Sequence, residues 1–302
     1  MSEEEKDQVI EGHEHHHDHS HEAAHHHHLH AAQSHHTHGY HLLQVENLSI
    51  GFDMYEQTGK WTSARAFSPV IHGLNISVHE GEIVAIVGAS GSGKTVLADA
   101  IMGLYEPNSL VEGTIYFDGV EQTTETLAQH RGREIAFVPQ SVKSLDPLMR
   151  VGKQIGGTAE KRAELFQQYR LDPQVERMYP HELSGGMARR VLLCTALVSD
   201  PKLIIADEPT PGLDLELAVQ AMADFRAFAN KGGGVLLITH DIELALSVAD
   251  RVAVFRDGTV IEETAVANFS SPDTLQEEFS RSLWRALPEH EFAVIPMEEG
   301  WR

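Results

Sequence analysis

Several separated stretches of this chain hold residue types that could bind a nucleoside triphosphate and cleave its terminal phosphate. Gly88-Ala89-Ser90-Gly91-Ser92-Gly93-Lys94-Thr95 has the spacing G-x-x-x-x-G-K-[ST], set between an apolar run and a helical pattern. Its glycines let successive backbone N–H groups turn toward one phosphate cluster. Lys94 supplies a point charge at the β/γ-phosphates, and the Thr95 hydroxyl suits Mg²⁺. Far downstream, Leu203-Ile204-Ile205-Ala206 runs into two acids, Asp207 and Glu208. The first suits a Mg²⁺ ligand, directly or through water, and the second is placed to polarise an attacking water. His240 follows the apolar run Val235–Thr239 as a γ-phosphate sensor would. Gln140 ends its own run in the same way. Alone, each of these two is an ordinary polar loop residue; their order and company give them roles. Ser184-Gly185-Gly186 opens a helix at about 187–198. Its hydroxyl and free amides therefore form a second anion site, in a different part of the chain from Lys94.

Strands and helices must place these groups. Residues 42–50 and 70–78 read as strands, joined by a polar and aromatic loop around Tyr55 to Phe67. Residues 82–87 are a near-continuous apolar, β-branched run, as in a strand buried on both faces. A helix is expected over about 94–104 and a hairpin at Phe117-Asp118-Gly119. Further strands are expected at 135–138, 203–206, 235–239, 252–255 and 259–262, with a helix near 215–229. Alternation of this kind predicts an α/β domain with a mainly parallel sheet. The mostly helical stretch from about 141 to 200 reads as an inserted subdomain. Residues 1–41 are low-complexity and hold 15 of the 21 histidines. Too few apolar side chains stand there to offset ordering entropy, so a disordered tail is expected.

The chain has 302 residues, 23 Lys+Arg against 45 Asp+Glu and a formal charge of −22. That balance repels phosphate backbones and argues against nucleic-acid partners. The single cysteine, Cys194, cannot make an internal disulfide or a multi-cysteine metal or iron–sulfur site. The first twenty residues lack a signal-peptide pattern, and no run approaches the roughly 18 to 20 apolar residues that span a bilayer.

From about Leu42 to Val266 the chain resembles the nucleotide-binding subunit of ABC transporters. The resemblance implies a RecA-like core with a mainly parallel sheet, an antiparallel β subdomain and the helical signature subdomain inside residues 42–266, with 267–302 as an extension. It assigns ATP to Gly88–Thr95 and makes Gln140 the Q-loop glutamine, a Mg²⁺ ligand beside Thr95 and Asp207. Leu183-Ser184-Gly185-Gly186-Met187 matches the signature, Glu208 the catalytic glutamate, Asp214 the D-loop aspartate and His240 the switch histidine. All the motifs are intact, which implies hydrolysis and not binding alone. In the family two subunits pack head to tail, each signature closing over the ATP of the other. Phe52 matches the adenine-stacking position, although Tyr55, Trp61 and Phe67 stand in the same loop and Phe52 also reads as plain core.

Val138-Pro139-Gln140, Ser144-Leu145-Asp146-Pro147 and the Met187 of the signature are similar to the peptide and nickel importer branch, as is Ser282-Leu283-Trp284-Arg285-Ala286-Leu287-Pro288. The last lies in a stripe, Leu275, Phe279, Leu283 and Leu287, that reads as a docking helix or as packing on its own domain. Imidazoles at His15, His16, His17, His19, His21 and His25-His26-His27-His28 would ligate Ni²⁺, Co²⁺ or Zn²⁺; the bland alternative is a solvated polar tail or a tag. These features together lead to an expected ATPase subunit of a nickel or other transition-metal importer, with di- or oligopeptide import as the alternative. A soluble, non-transport ABC ATPase is the reading from another class. The implied partners are a second ATPase subunit, two transmembrane permeases and an extracytoplasmic binding protein. The implied place is the cytoplasmic face of the inner membrane, held peripherally.

Overall fold

Residues 41–57, 63–89 and 91–287 are described by the computed structural model of the chain. They begin with an antiparallel pair, β1 (His41–Gln57) and β2 (Ser63–His79). Cross-strand pairing runs on through Met54↔Ala66 to Gln57↔Ser63, so most of the loop expected around Tyr55 to Phe67 is strand. The backbone ladder satisfies N–H and C=O groups whatever the side chains, and polar composition therefore hid the pairing. His41, assigned from sequence to the tail, is the first residue of β1.

The buried run forms β3 (Ile83–Val87) and leads through the glycine loop into α1 (Lys94–Ile101). A hairpin at Asp118-Gly119 joins β4 (Ser109–Phe117) to β5 (Val120–Glu121); both turn residues have positive φ. Then follow α2 (Thr124–His130), β6 (Ile135–Val138), α3 (Val151–Ile155), α4 (Ala159–Gln168) and α5 (Gly185–Leu197). The remaining elements alternate: β7 (Leu203–Asp207), α6 (Leu215–Asn230), β8 (Gly234–Thr239), α7 (Ile242–Val248), β9 (Arg251–Arg256), β10 (Thr259–Ala265) and α8 (Glu278–Arg285).

Two sheets result. The first is antiparallel, in the order β2-β1-β4-β5; the second runs β10-β9-β3-β8-β7-β6 and is parallel except at its β10 edge. The side-chain period of two divides the core. On β3, Ile83, Ala85 and Val87 pack with α5 and α6, whereas Val84 and Ile86 pack with α1 and the antiparallel sheet. Strands β7 and β8 alternate in the same way. Every residue of β3, β7 and β8 is buried, which is why these segments read as unbroken apolar runs.

Between β6 and β7 the chain is helical in short pieces, with three-residue and five-residue 3₁₀ turns among α3, α4 and α5. At the other end, α8 stops at Arg285, ahead of Pro288, and Leu275 lies before it as a 3₁₀ cap. Phe279, Leu283, Trp284 and Leu287 pack on the chain's own core beside Phe269, and the Trp284 indole donates to Phe269 O at 2.7 Å. Among the described residues, no helix is long and apolar enough to cross a membrane.

Candidate active site

Strands β3, β8, β7 and β6 are parallel neighbours, so Gly88, His240, Asp207–Glu208 and Gln140 all emerge at one edge of the sheet. In open parallel sheets that edge is where ligands bind. Gly88 leaves β3 where a Cβ would lie 2.1 Å from Phe255 O on β9. Gly93 caps α1 with φ 106°, a conformation that favours glycine. Ser90 lies outside the described residues.

Lys94 is 6% exposed, and its ammonium donates to Gly88 O at 2.9 Å and Ala89 O at 2.8 Å. The lysine folds back across its own loop. Desolvation lowers its pKa, while Glu208 and Asp207 oppose that shift. Burial holds the pKa of Asp207, 1% exposed, above the ordinary carboxylate range; Lys94 and Arg189 favour its charged form, and the Glu208 charge opposes it. Neither Asp207 oxygen makes a hydrogen bond within the described structure. Thr95 Oγ1 reaches Gln140 Oε1 at 3.4 Å, a weak bond. An orphaned buried carboxylate beside a hydroxyl and an amide oxygen is a set of hard oxygen donors, and it fits Mg²⁺.

Glu208 is buried and takes φ 47°, rare for a residue with a side chain. Its N–H donates to Ile238 O at 2.8 Å, which ties the strained turn to β8. Its Oε2 accepts from His240 Nδ1 at 2.8 Å and from the Thr239 hydroxyl at 3.4 Å. Because a carboxylate only accepts, the His240 proton in this pair sits on Nδ1. The structure thus brings Lys94, Thr95, Gln140, Asp207, Glu208 and His240 to one sheet edge.

The remaining expected residues lie elsewhere. Ser184 caps α5, its Oγ accepting from Met187 N at 3.2 Å, and open space surrounds Gly185. A Cβ on Gly186 would come 3.3 Å from Gly212 O, in the loop ahead of Asp214. Asp214 in turn caps α6 through Leu217 N at 2.9 Å. Leu183 and Met187 are half-buried against the core of helices and sheet. Phe52, paired with Ser68 and Ser109, is half-buried against the core beneath the antiparallel sheet, and the exposed Phe67 ring covers Gly51. The histidines from His15 to His28 lie outside the described residues.

Two further residues stand near the site with no sequence motif to mark them. Arg189 looks like half of a solvent-facing Arg189-Arg190 pair, yet its guanidinium is buried and donates to Pro139 O and Gln140 O. Asp99, one turn beyond Thr95 on α1, has its pKa pushed up to about 6 by burial, with Asp207 and Glu106 adding repulsion. A charge at i+4 from a phosphate-loop residue was the available signal for Asp99; nothing local separates Arg189 from Arg190.

A family model described as ABC transporter matches residues 71–211. The oligopeptide transport ATP-binding protein OppD of Lactococcus lactis subsp. cremoris (strain SK11) is 35% identical over 271 residues, covering 83% of this chain and 77% of its own. OppD of Bacillus subtilis (strain 168) is 38% identical over 246 residues, covering 74% of this chain and 66% of its own. Among solved structures, a dimeric ATP-binding cassette in a post-hydrolysis state bound to ADP and Pi matches with TM-score 0.62 at 27% identity. It covers 74% of this chain and 98% of its own. By these similarities the chain belongs to the ABC transporter family as an ATP-binding subunit that hydrolyses ATP.

Proposed function

We propose that this subunit drives the import of oligopeptides, bound peripherally at the cytoplasmic face of the inner membrane. Its partners in this reading are two permease subunits, a second ATPase subunit and an extracytoplasmic binding protein. The observation that carries it is the similarity to two OppD proteins, each named for oligopeptide transport, over 74% or more of this chain. The histidines of residues 13–41 favour a second reading, import of nickel or another transition metal. Competition between a labelled tetrapeptide and ⁶³Ni²⁺ for uptake into cells expressing the assembled transporter separates the two. Peptide uptake lost in Lys94→Ala supports the first reading; nickel uptake lost in that variant, with peptide uptake unchanged, overturns it.

In the proposed chemistry, ATP phosphate oxygens replace the Gly88 and Ala89 carbonyls as partners of Lys94. Thr95, Gln140 and Asp207 would hold Mg²⁺, which when bound neutralises charge on the phosphate oxygens. Both bonds to Glu208 end on Oε2, which leaves Oε1 to accept a hydrogen bond from the attacking water. The water oxygen joins the γ-phosphorus as the bond to the β–γ bridging oxygen breaks, and ADP departs. His240 holds Glu208 at one nitrogen while Nε2 faces outward as a hydrogen-bond partner for the phosphate product. Ser184 and the amides of Gly185 and Gly186 would bind the phosphates held by the partner subunit, and Asp214 would stand beside that junction. Phe52 is proposed to border the adenine.

A further inference from the structure

Arg189 lies in the second turn of α5, five residues beyond Ser184, and is 6% exposed. A guanidinium at that depth has lost hydration and must regain it from protein acceptors. Its partners are two consecutive backbone carbonyls at the end of β6: Nη1 donates to Pro139 O at 2.8 Å and Nη2 donates to Gln140 O. Its Nε is buried without a partner, and the charges that favour the cation are Asp207 and Glu208. Arg190 turns elsewhere, to the carbonyls of Gly186, Tyr169 and Arg170.

The consequence falls on Gln140. Its side chain is exposed, and its reach to Thr95 is a bond of 3.4 Å, at the weak limit of hydrogen bonding. A backbone shift of about 1 Å would take Oε1 out of range. What holds that backbone is a planar fork whose two ends donate to two consecutive carbonyls, which resists both sliding and rotation; an ammonium supplies only a point contact. We infer that Arg189 is a positioning residue that ties Gln140 to the helix opened by Ser184, so that the reach of Gln140 toward Thr95 depends on where α5 sits. The inference is independent of the transported solute. It rests on the reading of Thr95, Gln140 and Asp207 as one Mg²⁺–phosphate site.

The test uses the full-length protein and the variants Arg189→Lys, Arg189→Met, Gln140→Ala and the double variant Arg189→Met/Gln140→Ala. A fluorescent ATP analogue is titrated with EDTA and with Mg²⁺, and phosphate release is followed against Mg²⁺ concentration. Metal-free affinity should stay within about twofold in the Arg189 variants, because the Lys94 loop is untouched. The Mg²⁺-dependent gain in affinity and kcat should fall by about tenfold in Arg189→Met and in Gln140→Ala. Arg189→Lys should recover part of that loss, and the double variant should be no worse than either single one. Wild-type Mg²⁺ dependence in Arg189→Met, or additive losses in the double variant, would overturn the inference. Should Arg189→Met not fold, Arg189→Lys decides, and wild-type values there overturn it equally. A silent Gln140→Ala would remove the Mg²⁺ site reading and this inference together, whereas a silent Arg189 variant beside a damaged Gln140→Ala removes the inference alone.

Discussion

Glu208 holds a left-handed backbone conformation that costs a non-glycine residue about 1 kcal/mol or more, and the bond from its N–H to Ile238 O keeps it there. The turn places its carboxylate on His240 and next to Asp207, so the strain is tied to the proposed chemistry. Glu208→Gln should lower kcat by about 10² to 10³-fold while MgATP affinity changes only a few-fold, as read by phosphate release and equilibrium binding. Asp99 offers a test by pH. With its native pKa raised to about 6 by burial and by Asp207 and Glu106, its ionised form is penalised in the folded state only. Stability should therefore fall as pH rises from the ordinary carboxylate value through about 6, and stay lower above it. Asp99→Asn should melt higher than the parent at pH 8 in metal-free buffer, by about 1–2 kcal/mol, with the gap closing near pH 4. Equal melting curves at pH 8 would remove Asp99 from this account. Cys194, by contrast, is buried with its thiol pushed up to about 12, chiefly by desolvation, and belongs to the core and not the chemistry.

The elements that position the site are held by close approach and by buried acceptors. Gly88→Ala would drive a Cβ to 2.1 Å from Phe255 O, where β3 hands over to the phosphate loop. That variant should lose about 1–3 kcal/mol of stability and most ATP binding, measured by denaturant melts and titration. The C-terminal extension hangs on Glu262, whose two oxygens accept from Gln276 N at 2.8 Å and Glu277 N at 3.0 Å. Glu262→Ala would leave those amides unpaired at a cost of about 1–3 kcal/mol, so hydrogen exchange at Gln276 and Glu277 should speed up selectively. The stripe Leu275, Phe279, Leu283 and Leu287 was legible in sequence as one apolar face. That this face lies on the chain's own core, with Arg256 of β9 over the Phe279 ring at 4.8 Å, is a relation between segments distant in sequence. The hairpin of β1 and β2 was half legible. Its apolar first part alternates, and its polar far part is held by backbone pairing that composition does not report.

Across the whole molecule, the proposed site divides between the sheet edge that carries Lys94, Asp207 and Glu208 and the start of α5, which carries Ser184. The first amides of α5 have no partner within the helix, and Ser184 satisfies only one, on Met187. The open space around Gly185 suits an anion supplied from outside. Full-length Glu208→Gln with MgATP should therefore sediment as a dimer, and adding Ser184→Arg should return it to monomer without loss of ATP binding. A dimer that survives Ser184→Arg would place the subunit contact elsewhere. One guanidinium, Arg189, spans from that helix to the Gln140 carbonyl, so the two parts of the site are mechanically joined within one subunit.

The amino-acid order by itself marked the Gly88–Thr95 pattern, the Asp207–Glu208 pair, the helix start at Ser184-Gly185-Gly186 and the buried strands, because each is a local pattern. A helix N-terminus, a glycine turn or a fully apolar strand needs only its near neighbours in the chain to be specified. Only the tertiary structure decided which of these parts share an edge, that Glu208 bonds His240 across two strands, and that Arg189 is buried while Arg190 turns to other carbonyls. The Glu208–His240 and Arg189–Gln140 bonds join residues 32 and 49 positions apart. They arise from the parallel order of β3, β8, β7 and β6 and the packing of α5 against β6, which the spacing of residues along the chain does not encode.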